Sequence, residues 1–152
     1  MSDKHLPLTI LSDEELMFKD TVRSFAEENI KPLVKKMDEE AVFDKELLKK
    51  FFDLGIMGIE IPEQFGGSES SFFNSILLVE EFSRVDASAG VLVDVQNTLV
   101  NNAFMRWGSK EIKEKYLPQL ASGKVGSYAL SESGSGSDAF ALATKAEDKG
   151  EH

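Results

Sequence analysis

Apolar residues recur at helical spacing from residue 12 to about residue 38, with polar residues between them. Ser12 is a favourable N-cap, and Glu15 stands three residues later, which is the arrangement of a capping box. The pattern predicts a first helix over this range, with a kink or a break at Pro32. The apolar positions are Leu16, Val22, Phe25, Ile30, Leu33, Val34 and Met37.

The same spacing predicts four further helices. They cover residues 44–54, about 71–85, from 86 or 88 to 107, and 110–120. Asp44 and Ser109 are the expected N-caps of the first and last of these helices. Gly55 is the expected stop of the helix over residues 44–54, and Gly108 that of the helix that ends at residue 107.

The pattern changes after Gly123. Residues 125–130 and 140–144 are short apolar runs, which predict strands. Two lone strands cannot bury a face by themselves, so we expect the chain to be the front part of a larger protein. The predicted fold is mainly α. An N-terminal helical domain of about five helices covers residues 1–122, and the first strands of a β domain follow over residues 123–152.

The composition excludes several classes of function. The 17 basic and 27 acidic residues are spread along the chain, and this acidic excess disfavours a nucleic-acid surface. The absence of Cys excludes disulfides and thiolate catalysis. His5 and His152 lie near or at the chain ends, which disfavours a Ser-His-Asp site or a His-rich metal site. No apolar run is long enough to span a bilayer, and the N-terminus has the features of neither a secretory signal nor a transit peptide.

Residues 131–140, with the sequence SESGSGSDAF, have the Ser and Gly content of a flexible linker. Against a tether, apolar runs bound the segment on both sides. Residues 134–139 also satisfy the dinucleotide pattern G-x-G-x-x-A, but three residues separate them from the preceding strand and no helical pattern follows. A third interpretation is a loop whose small residues let the backbone come close to a flat, phosphorylated ligand.

Residues 129–141, with the sequence ALSESGSGSDAFA, resemble the flavin-binding signature of the acyl-CoA dehydrogenases at every constrained position. The resemblance extends along the chain at further places that follow in the family's order. These places are residues 54–67, 80–88 and 108–118. Because several separate segments match in the right order, the chain is identified as a member of this family. It looks most like the short/branched-chain members, at residues 85–88, 95–99 and 137–142.

The resemblance implies an enzyme that oxidises an acyl-CoA thioester between Cα and Cβ, with FAD as the hydride acceptor. It implies that ten consecutive residues line the FAD, and that Ser137 also reaches the acyl-CoA. These residues are Tyr128, Ala129, Leu130, Ser131, Glu132, Ser133, Gly134, Ser135, Gly136 and Ser137. The Ser131 hydroxyl and backbone N–H groups are expected to donate hydrogen bonds to the flavin edge.

In this family the catalytic base is a Glu of the C-terminal helical domain, which these 152 residues do not include. No residue of this chain is therefore expected to be catalytic, Glu132 included, and the chain alone is expected to be inactive. The resemblance also implies an electron-transfer flavoprotein as acceptor and a homotetramer at full length. It implies a mitochondrial matrix location, or a cytoplasmic one if the source is bacterial. Nucleic acid, membrane insertion and a metal are not expected.

Three alternatives stay open. Glu132 and Asp138 can merely cap turns, as acids commonly do. The helix around residues 94–104 helps to form the base of the acyl pocket in the family, but Val95, Leu99 and Phe104 are equally consistent with an ordinary core. Finally, the chain can be a non-catalytic helical interaction domain derived from this family, whose exposed strands a partner covers.

Overall fold

The first helical segment begins at the predicted capping box. In the computed structural model, which describes residues 10–150, Ser12 Oγ accepts a hydrogen bond from Glu15 N at 3.2 Å, and Glu15 Oε2 accepts one from Ser12 N at 2.7 Å. Helix α1 (Asp13–Phe25) continues through a π-helical turn and a 3₁₀ turn into α2 (Val34–Glu40). Pro32 lies in the 3₁₀ turn. The predicted helix is confirmed, and its irregular part lies where the sequence placed the kink.

The other predicted helices are also present. The structure contains α3 (Lys45–Asp53), α4 (Phe72–Ser83), α5 (Ala87–Asp94), α6 (Asn102–Trp107) and α7 (Lys110–Ser122). Asp44 and Ser109 cap α3 and α7 as predicted, by accepting hydrogen bonds from Leu47 N and Ile112 N. A π-helical segment, Val95–Asn101, joins α5 to α6. Within residues 10–150 the helices therefore form five continuous segments, and the prediction of a mainly α fold with about five helices is confirmed.

The main core lies where α1, α3, α4 and α5 face one another. Three aromatic rings, those of Phe25, Phe51 and Phe82, pack there with centroids 6.0, 5.9 and 5.1 Å apart. A second, smaller core joins the π-helical segment to α7. Its buried members are Ile61, Val100, Leu117, Leu120 and Ala121. Leu120 and Ala121 lie at the end of α7, so this second core holds the point at which the chain leaves the helices.

The strands predicted at residues 125–130 and 140–144 are not formed within the described residues. These residues carry no regular secondary structure, and the part of the chain after α7 contains one isolated β-bridge, between Glu132 and Ser135. Strand formation requires a pairing partner, and here three of the backbone amides bond to side chains and not to another strand. The amide groups of Ala143 and Thr144 donate to the side chain of Glu132, and Gly126 N donates to the side chain of Gln96.

Among residues 10–150, none of the helices combines the length and the apolar character that a bilayer crossing requires. The same residues contain no cluster of three or more His, Cys, Asp or Glu side chains placed to hold a metal ion.

Candidate functional site

The segment that leads into the Ser/Gly stretch is hydrogen-bonded to the helices through the Gln96 side chain. Gln96 in the π-helical segment accepts a hydrogen bond from Gly126 N at 2.8 Å through Oε1. Its Nε2 donates to Lys124 O at 3.0 Å and to Leu120 O at 3.2 Å. The side chain is 1% exposed. Residues 124–126 therefore have a fixed position on the helical part, two residues before Tyr128.

The Ser/Gly stretch folds into a closed turn and not into a free linker. Glu132 N donates to Ser135 O at 3.0 Å, and Ser135 N donates to Glu132 O at 3.1 Å. Ser135 is 2% exposed, and its Oγ donates to Asp138 O at 2.7 Å. Asp138 Oδ1 accepts from Phe140 N at 3.2 Å, which is an Asx turn.

The Glu132 carboxylate holds the two ends of this stretch together. Its Oε2 accepts from Ala143 N at 2.8 Å, and its Oε1 accepts from Thr144 N at 3.1 Å. The hydrogen bond from the Thr144 side chain, followed by those from the two backbone amides, lowers the pKa of Glu132. Both carboxylate oxygens are therefore engaged within the loop, and in this structure Glu132 and Asp138 both have a turn-capping role.

Most of the predicted flavin-lining residues are exposed. Glu132 is half-buried and Ser135 is buried, and the other eight of residues 128–137 face outward. Within residues 10–150, the N–H groups of Ser133, Gly134, Gly136 and Ser137 make no hydrogen bond. No atom lies within 4 Å of the position that a Cβ would take at Gly134 or Gly136.

These features fit a flat anionic cofactor. Unpaired backbone donors bind phosphate and carbonyl oxygens without any net positive charge. The open space over the two glycines allows such a group to approach the backbone. Ser135 does not offer its hydroxyl to a ligand, because that hydroxyl is engaged with Asp138.

A groove of about 340 Å³ adjoins this segment. It is lined by Phe72, Thr98, Leu99, Asn102, Ala103, Arg106, Trp107 and Tyr128. Tyr128 is the residue that belongs both to the predicted flavin-lining stretch and to the groove. Larger hollows, of about 670 and 740 Å³, lie along α1 and α2, away from the Ser/Gly stretch.

The helix around residues 94–104 contributes to both the groove and the core. Leu99 is 41% exposed and lines the groove. Val95 and Phe104 pack against the second core, and the Phe104 ring lies 5.4 Å from that of Tyr116. The helix therefore contributes Leu99 to the groove and Val95 and Phe104 to the second core, and its role at the base of an acyl pocket stays a prediction.

Three lining residues were not predicted as site residues. Phe72 begins α4, and Arg106 and Trp107 end α6, so they come from separate parts of the sequence. Trp107, 85% exposed, is the one tryptophan of the chain. The exposure of this tryptophan follows from the packing of the helices, so no local sequence pattern marks these three residues as neighbours in one groove.

Comparisons with known proteins find relatives over most of the chain. The family described as "Acyl-CoA dehydrogenase, N-terminal domain" matches residues 12–124. A probable short/branched chain specific acyl-CoA dehydrogenase of Dictyostelium discoideum is 55% identical over 140 residues, which cover 92% of this chain and 34% of that protein. The mitochondrial short/branched chain specific acyl-CoA dehydrogenase of Bos taurus is 45% identical over 146 residues, which cover 96% and 34% of the two chains.

A solved structure shows the same fold. It is a glutaryl-CoA dehydrogenase of Mycobacterium smegmatis in complex with FADH2, with a TM-score of 0.80 and 31% identity. The similarity covers 87% of this chain and 34% of that one. This chain spans about a third of the length of the relatives it matches. Because the family match covers most of its residues, the chain belongs to the acyl-CoA dehydrogenase family, through the N-terminal domain of that family.

Proposed function

We propose that this chain serves as the N-terminal helical part of a FAD-dependent acyl-CoA dehydrogenase that acts on short or branched acyl-CoA thioesters. The observation that carries the proposal is the position of Tyr128. This residue lies at the start of a stretch with unpaired backbone donors and also lines a groove whose walls carry aromatic, aliphatic and polar side chains, Arg106 among them. A flavin on the donor stretch and an acyl chain in the groove would therefore be neighbours, as α,β-dehydrogenation requires.

The chain's own residues supply binding and the exclusion of water. The N–H groups of Ser133, Gly134, Gly136 and Ser137, together with the Ser131 hydroxyl, are proposed to donate hydrogen bonds to FAD, and Ser137 also to the acyl-CoA. Bound FAD supplies the hydride acceptor. The Glu132 oxygens are already engaged with Ala143 and Thr144, so Glu132 is not proposed as the base. Removal of the α-proton is assigned to the glutamate of the family's C-terminal domain, which these 152 residues do not contain.

The substrate class, partners and location are proposed from the named relatives. Of the two relatives named above, one is a probable short/branched chain specific acyl-CoA dehydrogenase, and the bovine one is a mitochondrial enzyme of the same name. Phe72 and Trp107 bound the groove with bulky rings, which is consistent with a short or branched acyl chain. We extend the proposal to an electron-transfer flavoprotein as acceptor, a homotetramer and a mitochondrial matrix location. Residues 123–152 are proposed to begin the β domain.

The test uses the protein expressed from its whole reading frame, sequenced past the codon of His152. We expect the purified protein to show flavin absorption bands, and a branched short-chain acyl-CoA to bleach them in the absence of oxygen. A long straight-chain acyl-CoA serves as the control substrate. A product that contains FAD but is not bleached would contradict the substrate class. A product that binds no FAD would overturn the proposal.

A second candidate is a non-catalytic interaction domain. It is favoured by the apolar side chains that the segments after α7 leave exposed. These are Val125, Tyr128, Leu130, Phe140 and Leu142. A row of exposed apolar side chains on unpaired backbone is a typical docking surface. If the reading frame ends at His152 and the folded chain binds no FAD in a titration followed by flavin fluorescence, this candidate is the better one.

A further inference from the structure

The Gln96 carboxamide provides the hydrogen bonds that a neighbouring strand would otherwise provide. Its Oε1 accepts from Gly126 N and its Nε2 donates to Lys124 O, at 2.8 and 3.0 Å. These two backbone groups flank Val125, and an adjacent strand would pair with such groups in a sheet. The second donor of Nε2 goes to Leu120 O, in the last turn of α7. One buried side chain therefore joins the end of α7 to the segment that follows it.

The contact at Gly126 is close as well as hydrogen-bonded. A Cβ at this position would lie 2.3 Å from Val100 Cγ1. Val100 stands four residues after Gln96, so both side chains project from one face of the π-helical segment. Thr98 and Leu99, from the same segment, line the groove. The segment therefore holds the start of the flavin-lining stretch while other residues of it form the wall of the groove.

We propose that Gln96 is a positioning residue, which sets the place of residues 126–137 relative to the groove and, through them, the place of bound FAD relative to the acyl chain. The placement of FAD rests on the proposed function. The placement of residues 124–126 by Gln96 rests on its three hydrogen bonds and does not depend on FAD. A purely structural residue in this position would affect the stability of the fold without affecting the flavin.

The test compares Gln96→Met with Asn101→Leu in the protein expressed from its whole reading frame. Asn101 is a buried amide of the same π-helical segment, but its Nδ2 donates to Met57 O and Asn97 Oδ1 and not to residues 124–126. Both variants lose buried hydrogen bonds, so both are expected to melt at a lower temperature. Gln96→Asn is the milder second variant, because it keeps the amide and shortens its reach.

Two measurements separate the possible outcomes. Hydrogen exchange of peptides that cover residues 124–130 is expected to accelerate in Gln96→Met and Gln96→Asn and to stay unchanged in Asn101→Leu. The Kd for FAD is expected to rise by about tenfold in Gln96→Met, which corresponds to the free energy of about one buried hydrogen bond. The visible flavin spectrum is also expected to shift.

Unchanged exchange at residues 124–130 overturns the positioning role. Equal Kd values for the two variants overturn its effect on FAD. If the unaltered protein binds no FAD, the proposed function fails, and the exchange result still decides the role of Gln96 in the segment.

Discussion

Arg23 in α1 donates two hydrogen bonds to the carboxylate of Glu81 in α4, from Nε at 2.8 Å and from Nη2 at 3.0 Å. The Glu81 side chain is 1% exposed, and Lys19 Nζ lies 3.4 Å from it. A buried carboxylate is tolerated only with such partners, because removing its charge from water is costly. The pair therefore joins the first helix to the helix that carries much of the main core.

Replacement of this carboxylate is expected to destabilise the fold. In Glu81→Gln, the amide nitrogen faces the Arg23 guanidinium and one charge-assisted hydrogen bond is lost, so we expect the free energy of unfolding to fall by about 2 kcal/mol. Chemical denaturation followed by circular dichroism measures this change. Glu80→Gln is the matched control, because Glu80 is the exposed neighbour and lies 3.8 Å from Lys19. Equal losses in the two variants would falsify a special role for the buried pair.

The same carboxylate predicts a dependence of stability on pH. The hydrogen bond from Arg23, the main cause, holds the pKa of Glu81 below its ordinary value of 4.5. A lowered pKa in the folded state contributes stability that is present above the unfolded value and is lost as the pH falls through the folded value. We therefore expect the stability difference between the unaltered protein and Glu81→Gln to be constant above about pH 5.5 and to shrink below about pH 4.5.

Denaturation curves between about pH 7 and pH 3 test this expectation. Glu111 and Glu132 also have a lowered pKa, the first chiefly through the Ser109 hydroxyl and the second chiefly through the Thr144 side chain. Both groups are present in the two proteins, so they cancel in the difference. A difference that does not change with pH would show that the ionised form of Glu81 has no advantage in the folded state.

Helix boundaries were predictable because their signals are local. The capping box of Ser12 and Glu15 and the caps at Asp44 and Ser109 lie within three residues of the amides that they bind. Pro32 marks the irregular turn between α1 and α2 because the missing N–H acts within one helical turn. These elements follow from the sequence without any knowledge of the packing.

The strands and the loop were not predictable in the same way. An alternating apolar run predicts a strand only if another strand is within reach, and here the amides of Ala143 and Thr144 donate to a side chain 11 and 12 residues away. The three hydrogen bonds of Gln96 reach 24, 28 and 30 residues along the chain. No local pattern contains such partners, so the loop closure and the support of the segment before it appear only in the structure.

The closure of the Ser/Gly stretch by Glu132 is expected to be local in its effect. In Glu132→Ala, the amides of Ala143 and Thr144 lose their acceptor, so we expect their hydrogen exchange to accelerate while the melting temperature stays unchanged, because the loop lies outside both cores. Glu147→Ala, in the segment that follows the loop, is the control, since its carboxylate lies 3.3 Å from Lys149 Nζ and bonds to neither of the two amides. Slow exchange at Ala143 and Thr144 in Glu132→Ala would show that another group protects them.

The buried Asn97 side chain makes hydrogen bonds to three backbone groups. Its Oδ1 accepts from Ile59 N at 3.1 Å, and its Nδ2 donates to Ile56 O at 2.8 Å and to Val93 O at 2.9 Å. The residue is 1% exposed. It therefore fixes the turn after α3 to the π-helical segment through both its donors and its acceptor.

Asn97→Asp separates these two contributions. The carboxylate keeps the acceptor for Ile59 N but places a negative oxygen against the two carbonyl groups, in a buried site without a cation among the groups it contacts. We expect the free energy of unfolding at neutral pH to fall by about 3 kcal/mol or more, and part of that loss to be recovered near pH 5, where protonation of the buried carboxyl restores one donor. Asn97→Leu, which lacks donor and acceptor, is expected to lose stability without this recovery. If Asn97→Asp regains no stability at low pH, the two hydrogen bonds that Asn97 Nδ2 donates contribute little to the free energy of unfolding. The acceptor for Ile59 N is then the essential group.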